Sequence, residues 1–291
     1  MRCDLHVHTR HSGMCTIPLL RGVCRESYNE PLAVYEKLKR LGMDLVTVTD
    51  HDSIGAAEAL RSRPDFFLSE EVTCRMPSGS ELHVGVYDIT ERDHVEFERR
   101  RLDFFSFHAY LRERGLFFSA NHVFSSLTGR RHLKDFEIFE ELFPGLETRN
   151  GHMLPRVNDN AAALADWAMK AEVGGSDAHA MASVGSAYTV VPRARDKKEY
   201  LAGLRAGFGK VRGRTGGYWK LTRDVLAIGG RMARENPPTW ALAPLALAAP
   251  VVTLGNYIIE SIFARWWMVR YQRARMMRGA PAARPIAEVA A

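Results

Sequence analysis

Cysteine is scarce in this chain. Of its 291 residues only Cys3, Cys15, Cys24 and Cys74 are cysteines, and none belongs to a CxxC pair. No secretory leader precedes them, so a framework of structural disulfides is not expected, and a reducing cytoplasm fits best. The four are expected to be small buried side chains. A cleaved N-terminal signal is also not expected, because a polar motif needed for the reading below already starts at His6. No sequence repeat is present, and low complexity is confined to the Ala-, Arg- and Pro-rich last dozen residues. With 46% apolar and 25% charged residues, a core can form without disulfide or oligomer support.

What is present alternates. Short apolar, β-branched runs recur at 3–8, 44–49, 66–73, 82–87, 116–122, 145–149, 172–176 and 187–191. Amphipathic stretches at 31–41, 54–61, 93–113, 134–142, 158–170 and 195–206 read as helices between them. That alternation predicts a mainly parallel α/β barrel. In the stretch 158–170, Ala161, Leu164 and Trp167 recur at helical spacing, and Asn158 or Asp159 is the expected cap.

Composition changes near Gly213. After the linker Arg214-Thr-Gly-Gly217 comes a helical stretch, and then Trp240 to Ile259 runs 20 residues without a charge. That length crosses a bilayer if helical, although Pro244, Pro250, Gly255 and Asn256 interrupt it. A helical hairpin buried against the barrel is the competing expectation. From residue 261 onward six arginines stand against one glutamate, so much of the net charge of +6 resides there. A basic tail behind a hydrophobic stretch suits a membrane surface as readily as nucleic acid. The expected division is a catalytic domain over 1–212 and a helical hydrophobic extension over 213–291 that ends in a disordered basic tail. The extension would contact the inner face of a membrane through 240–271.

The polar residues of the first 180 positions carry the chemistry. His6 and His8 lie two apart, so on a strand both face one side and can share a metal ion. Asp177-Ala-His179 repeats that spacing. These motifs, together with Asp50, His51, Glu71 and His122, fall at strand C-terminal ends, the rim that carries active sites in parallel α/β barrels, and Thr49-Asp-His-Asp52, Ser69-Glu-Glu-Val-Thr73 and His83 stand between them in the chain.

In this order the motifs resemble those of the polymerase-and-histidinol-phosphatase (PHP) superfamily, over about residues 3 to 192. The resemblance implies a distorted TIM-like (β/α)7 barrel with a C-terminal helical appendage, and a phosphoesterase using two or three divalent ions, manganese, zinc or iron. It implies that His6, His8, Glu71 and Asp177 hold a first ion, with Glu71 bridging to a second held by His83 and His122. A third would be held by His51 and His179 with an aspartate shortly after the HxH motif. That aspartate is replaced here: His8-Thr-Arg-His-Ser-Gly13 has glycine at its position, leaving His11 or Cys15 as neighbours that could complete the site.

Imidazoles mixed with carboxylates suit transition metals rather than calcium. Two ions sharing a carboxylate can acidify a water and clamp a phosphoryl group, with Glu71, Asp177 and His179 nearest the chemistry. Asp50 is the expected partner that orients a ligand imidazole. Arg130 and Arg131, eight and nine residues after His122, are candidates for binding a substrate phosphate. His94, His108 and His132 match no motif and read as surface or structural histidines. The leading functional expectation is hydrolysis of a small phosphate ester, such as a nucleotide. A nuclease would need a basic and aromatic track beside the site, and 1–210 offers none. A membrane-attached binding protein that has lost turnover is the third reading.

Overall fold

In the computed structural model, which describes residues 1–18 and 20–279, two sheets form. The larger runs in the order β2 (Ser69–Arg75), β3 (Glu81–Tyr87), β4 (Phe117–Ala120), β5 (Gly145–Asn150) and β6 (Ala171–Gly175). The smaller joins β1 (Arg2–Cys3), β7 (Ala187–Val190) and β8 (Lys210–Gly213).

A closed, mainly parallel (β/α)7 barrel is therefore not what the strands build. β4–β5 and β5–β6 are parallel, but β2–β3 and β3–β4 are antiparallel, as are both pairs of the small sheet. The cause lies in the five residues between β2 and β3. Met76-Pro-Ser-Gly-Ser80 turns tightly, with Gly79 at φ +84° and Met76 N–H bonded to Ser80 O at 2.9 Å. A hairpin needs only such a turn, whereas a parallel return needs a crossover helix. The expected runs at 3–8 and 44–49 are mostly irregular and pair through single parallel bridges, Val7 with Ala178 and Val46 with Phe66. The bonds Thr49 N–H to Val7 O (2.9 Å) and Asp177 N–H to His6 O (2.6 Å) nevertheless lay the first motif between the second and the last.

The helices are α1 (Pro31–Arg40), α2 (Ala57–Leu60), α3 (Glu91–Arg100), α4 (Phe104–Glu113), α5 (Leu133–Leu142), α6 (Pro155–Ala168) and α7 (Lys197–Arg205). The periodic stretch 93–113 is two helices, because Asp103 caps a fresh start by accepting from Phe105 N–H and Ser106 N–H. α6 begins at Pro155, so neither Asn158 nor Asp159 caps it. Asn158 instead clamps the end of β5, accepting from Asn150 N–H and donating to Asn150 O, both at 2.9 Å.

Apolar faces of β2–β5 and α3–α6 meet in a core rich in phenylalanine, with Phe118, Phe124, Phe136, Phe139 and Phe143 buried. Each such side chain contributes roughly 2 to 3 kcal/mol by leaving water.

The extension consists of α8 (Tyr218–Glu235), a 3-10 run over Pro237–Ala248 and α9 (Ala249–Met277). The uncharged stretch thus spans two helix types, which meet between Ala248 and Ala249. The helical run Pro237–Met277 is long and apolar enough to cross a membrane by length and composition, and only 11% of its most apolar window is buried. α9 nevertheless puts Ala264, Trp267 and Tyr271 into the phenylalanine core, where Trp267 and Tyr271 lie against Phe136. Its opposite side exposes Val251, Val252, Ile259 and Ile262. The expected disordered tail, from Ala280 on, lies outside the described residues.

Candidate metal centre

Adjacent residues of a strand face opposite ways, and this separates Glu70 from Glu71 on β2. Glu70 turns outward to His94 Nδ1, 2.9 Å away. Glu71 turns inward, on the same face as His83, whose neighbour across the hairpin is Thr73. It is fully buried and surrounded by five imidazoles from four segments. Its Oε2 lies 3.1 Å from His6 Nε2, 3.4 Å from His8 Nε2 and 3.1 Å from His51 Nδ1. Its Oε1 lies 3.4 Å from His122 Nε2 and 3.6 Å from His83 Nδ1. Asp177 Oδ1 sits 3.5 Å from His6 Nε2 and 3.3 Å from His8 Nε2. The His179 ring stacks on His8 with centroids 4.2 Å apart. All eight residues expected to hold metal therefore converge, although 173 positions separate His6 from His179.

The backbone is shaped around this convergence. Gly175 approaches the first motif so closely that an added Cβ would fall 2.3 Å from His6 N. His122 and Asp177 adopt left-handed conformations, at φ +32° and +47°, a cost of about 1 to 3 kcal/mol each that packing must sustain. Asp4 ties the first and last motifs by accepting from Ser176 N–H at 2.8 Å and Gly185 N–H at 3.0 Å. Burial pushes its carboxyl up to about 6.

The donor set suits transition-metal ions. Glu71 Oε2, His51 Nδ1 and His83 Nδ1 are buried without hydrogen-bond partners, and their positions permit a shared ion. So do those of His6, His8 and Asp177, and those of His8, His51 and His179. Burial costs an unpaired polar atom on the order of 1 to 3 kcal/mol, so such a cluster is poorly satisfied by protein alone. Burial drives the His83 imidazole down to about 3 and holds His51 well below its ordinary range, leaving both rings neutral, each with one lone-pair nitrogen available to a metal. Burial alone would raise the Glu71 carboxyl, but the neighbouring His6, His83 and His51 hold it well below the usual range.

Two residues around the cluster, Glu147 and Asn121, escape sequence reasoning, and Asn150, just after the run 145–149, joins them at the centre. Glu147, in the middle of β5, pairs with His6 Nδ1 at 2.7 Å, and also accepts from His122 N–H at 3.1 Å. Asn121 donates to Glu71 Oε1 at 2.8 Å. Asn150 bridges Glu147 and Asp177, donating to each at 2.9 and 3.0 Å. Asn121 and Glu147 are lone polar residues inside the apolar runs 116–122 and 145–149, with no spacing to single them out.

Two expectations need correction. Asp50 does not touch a ligand imidazole. It accepts from Ser12 Oγ at 2.7 Å, and Ser12 Oγ in turn meets His8 Nδ1 at 3.0 Å, so its influence passes through a hydroxyl. Arg131 is buried, with its guanidinium donating to Val123 O, Glu81 O and the Thr128 hydroxyl. It braces the loop after β4, buried within the protein rather than presented to a substrate. Arg130, next to it, is exposed. Of the neighbours proposed for the missing aspartate, His11 is exposed with its ring over Gly55, and Cys15 lies across from Cys24. The carboxylate nearest His51 from that loop belongs instead to Glu26, at 3.9 Å from His51 Nε2.

Comparison with known proteins agrees with this geometry. A family model described as PHP-associated, PHP_C, matches residues 155–207. A curated but uncharacterized protein of Methanocaldococcus jannaschii, MJ1587, is 33% identical over 67 residues, 23% of this chain and 38% of that protein. The match thus spans well under half of the curated relative. Among solved structures, a two-domain protein of Bacteroides vulgatus containing a predicted PHP-like metal-dependent phosphoesterase superposes with a TM-score of 0.56 at 15% identity, over 78% of this chain and 69% of that one. PsfC of Pseudomonas syringae gives 0.54 at 16% identity, over 80% and 98%. The chain is thus similar to PHP-associated proteins over residues 155–207 and shares its fold with a PHP-like structure.

Proposed function

We propose that the protein is a metal-dependent phosphoesterase that hydrolyses a small phosphate ester, in the class that includes nucleotides. The observation that carries this reading is Glu71: a fully buried carboxylate whose two oxygens are divided between His6, His8 and His51 on one side and His83 and His122 on the other. Such a carboxylate is suited to hold two ions at once. His6, His8 and Asp177 would complete one position, His83 and His122 the other, and His51 and His179 would serve a third. Manganese, zinc and iron all fit this donor set. The bound ions would supply positive charge to phosphoryl oxygens and lower the pKa of a water.

The chain's own residues do the positioning. Glu147 at His6 Nδ1 fixes that ring so that Nε2 faces the centre, and Ser12, held by Asp50, does the same for His8. Asn121 and Asn150 hold Glu71 and Asp177 through their side-chain amides, which keeps the facing oxygens turned inward. Exposed Arg130 is assigned to the phosphate of the substrate, as a fork donor that needs no burial.

The catalytic unit is read as 1–212 and the extension 213–291 as a membrane-contacting element on the cytoplasmic side. The exposed apolar side of the run Pro237–Met277 supports that reading.

Metal analysis of the purified protein, followed by a screen of nucleotides, sugar phosphates and a short oligonucleotide, tests the function. Glu71→Ala is expected to abolish turnover and to lower metal content. Full activity in Glu71→Ala, or turnover of the oligonucleotide alone, would overturn the proposal.

A further inference from the structure

The glycine at position 13 removes the carboxylate that the third ion would require, yet the loop it opens returns one to the same place. Residues 13–15 and 24–26 form a short antiparallel ladder. Met14 and Arg25 are its bridge pair, Glu26 N–H donates to Gly13 O at 3.1 Å, and Cys15 N–H donates to Cys24 O at 3.0 Å. Glu26 is thus the residue directly across from Gly13. Its carboxylate projects toward the cluster, 3.9 Å from His51 Nε2, and no hydrogen bond in the described structure engages it.

We propose that Glu26 replaces the missing aspartate and completes, with His51 and His179, a third divalent-cation site. The inference rests on the metallohydrolase reading of the Glu71 centre. Gly13 explains why the ligand has to come from the opposite side of the ladder. Its backbone, at φ +86° and ψ −154°, is in a region that is essentially confined to glycine, so an aspartate there would strain the turn. Across the ladder, Glu26 has a longer side chain and ordinary backbone geometry. His51 and His179 already approach each other through His8, with facing nitrogens close enough to share an ion. With metal–ligand bonds of about 2 Å, two ligands on one cation stand roughly 3 Å apart, so the Glu26 carboxylate, 3.9 Å from His51 Nε2, has to close by about 1 Å on binding. The loop is also held from outside: Arg25 Nε pairs with Glu235 of α8 at 3.0 Å, and Asn236 Nδ2 donates to Val23 O at 2.9 Å. These contacts fix the ladder in the orientation that turns Glu26 inward.

Titration of Mn²⁺ alone into the metal-stripped full chain, by calorimetry and elemental analysis, tests this. Wild type is expected to take three ions. Glu26→Gln is expected to lose the weakest, or to bind it at least tenfold less tightly, with the other two unchanged. Glu26→Asp keeps the charge and should recover part of that binding, while Glu30→Gln, an exposed glutamate on the same segment, should behave as wild type. Because the Glu26 side chain makes no hydrogen bond, thermal unfolding of the stripped variants should match wild type, and Glu26→Asp guards against a local collapse in the glutamine variant. Two ions in wild type with no effect of Glu26→Gln would overturn the inference while leaving the Glu71 centre intact. No Mn²⁺ bound at all would overturn the metallohydrolase reading itself.

Discussion

At the scale of single residues, Glu147 acts on the centre without touching its inner carboxylate. Removing the charge in Glu147→Gln keeps the shape but weakens the hold on His6 Nδ1, so metal affinity should fall about 10- to 100-fold with the fold retained. Competition with a chelator reads this directly, and unchanged affinity would remove Glu147 from the positioning role. The neighbour of Glu71 on the other face of β2, Glu70, gives a different kind of test. Burial raises the Glu70 carboxyl from 4.5 to about 7, opposed by its bond to His94. A group whose folded pKa is raised favours the folded state below its unfolded value and loses that advantage as pH climbs through the folded one. Stability from Glu70 should therefore be greatest below about pH 4.5 and decline by pH 7 by on the order of 3 kcal/mol. Glu70→Gln should flatten that decline in denaturant titrations of the metal-free protein; parallel curves for the two proteins would contradict it. His6, His8, Asp177 and His179 were legible because HxH and DxH spacing matches the strand period, whereas His51, Glu71, His83 and His122 were legible only through the order of the motifs. Glu147 and Asn121 were not, since one polar residue inside an apolar run leaves no period to detect. Arg131 was legible only as an arginine; the carbonyls that accept from it come from residues 81 and 123, which sequence spacing does not bring together.

Among elements, α9 shows how one helix serves two environments. Trp267 and Tyr271 fill the phenylalanine core beside Phe136 and Trp167, so α9 is part of the packed fold even though its other side is bare. Trp267→Ala should cost about 3 to 5 kcal/mol of unfolding free energy, measured by chemical denaturation, through the cavity it leaves. A loss under 1 kcal/mol would mean that α9 is merely laid on the surface. For the same reason a chain ending at Arg212 should expose core apolar surface and lose stability, in addition to any change in location. The helices were largely legible from periodicity, with bounds within a few residues for α1, α5 and α7. The hairpin β2–β3 and the late strand β8 were not. The first was hidden because an apolar run reads alike in either direction, and the second because Lys210–Gly213 is polar and mostly exposed.

For the whole molecule, the exposed side of the run Pro237–Met277 predicts partition into lipid. Full-length protein should cosediment with vesicles containing anionic phospholipid, and replacing Val251, Val252, Ile259 and Ile262 by serine should release it without changing metal content. Equal sedimentation of both proteins would show that these side chains do not anchor it. The bonds that join His6 and Val7 to residues 177 and 178 have a further consequence, for the order of events during synthesis. A nascent chain displays His6 and His8 well before the carboxylate and imidazole at 177 and 179 are made. Contacts of such long sequence separation form late, because the intervening loop must close first. Ion capture by the first motif would therefore wait until residue 177 has been made, and a ribosome-stalled chain that ends before it should leave the growing protein unmetallated.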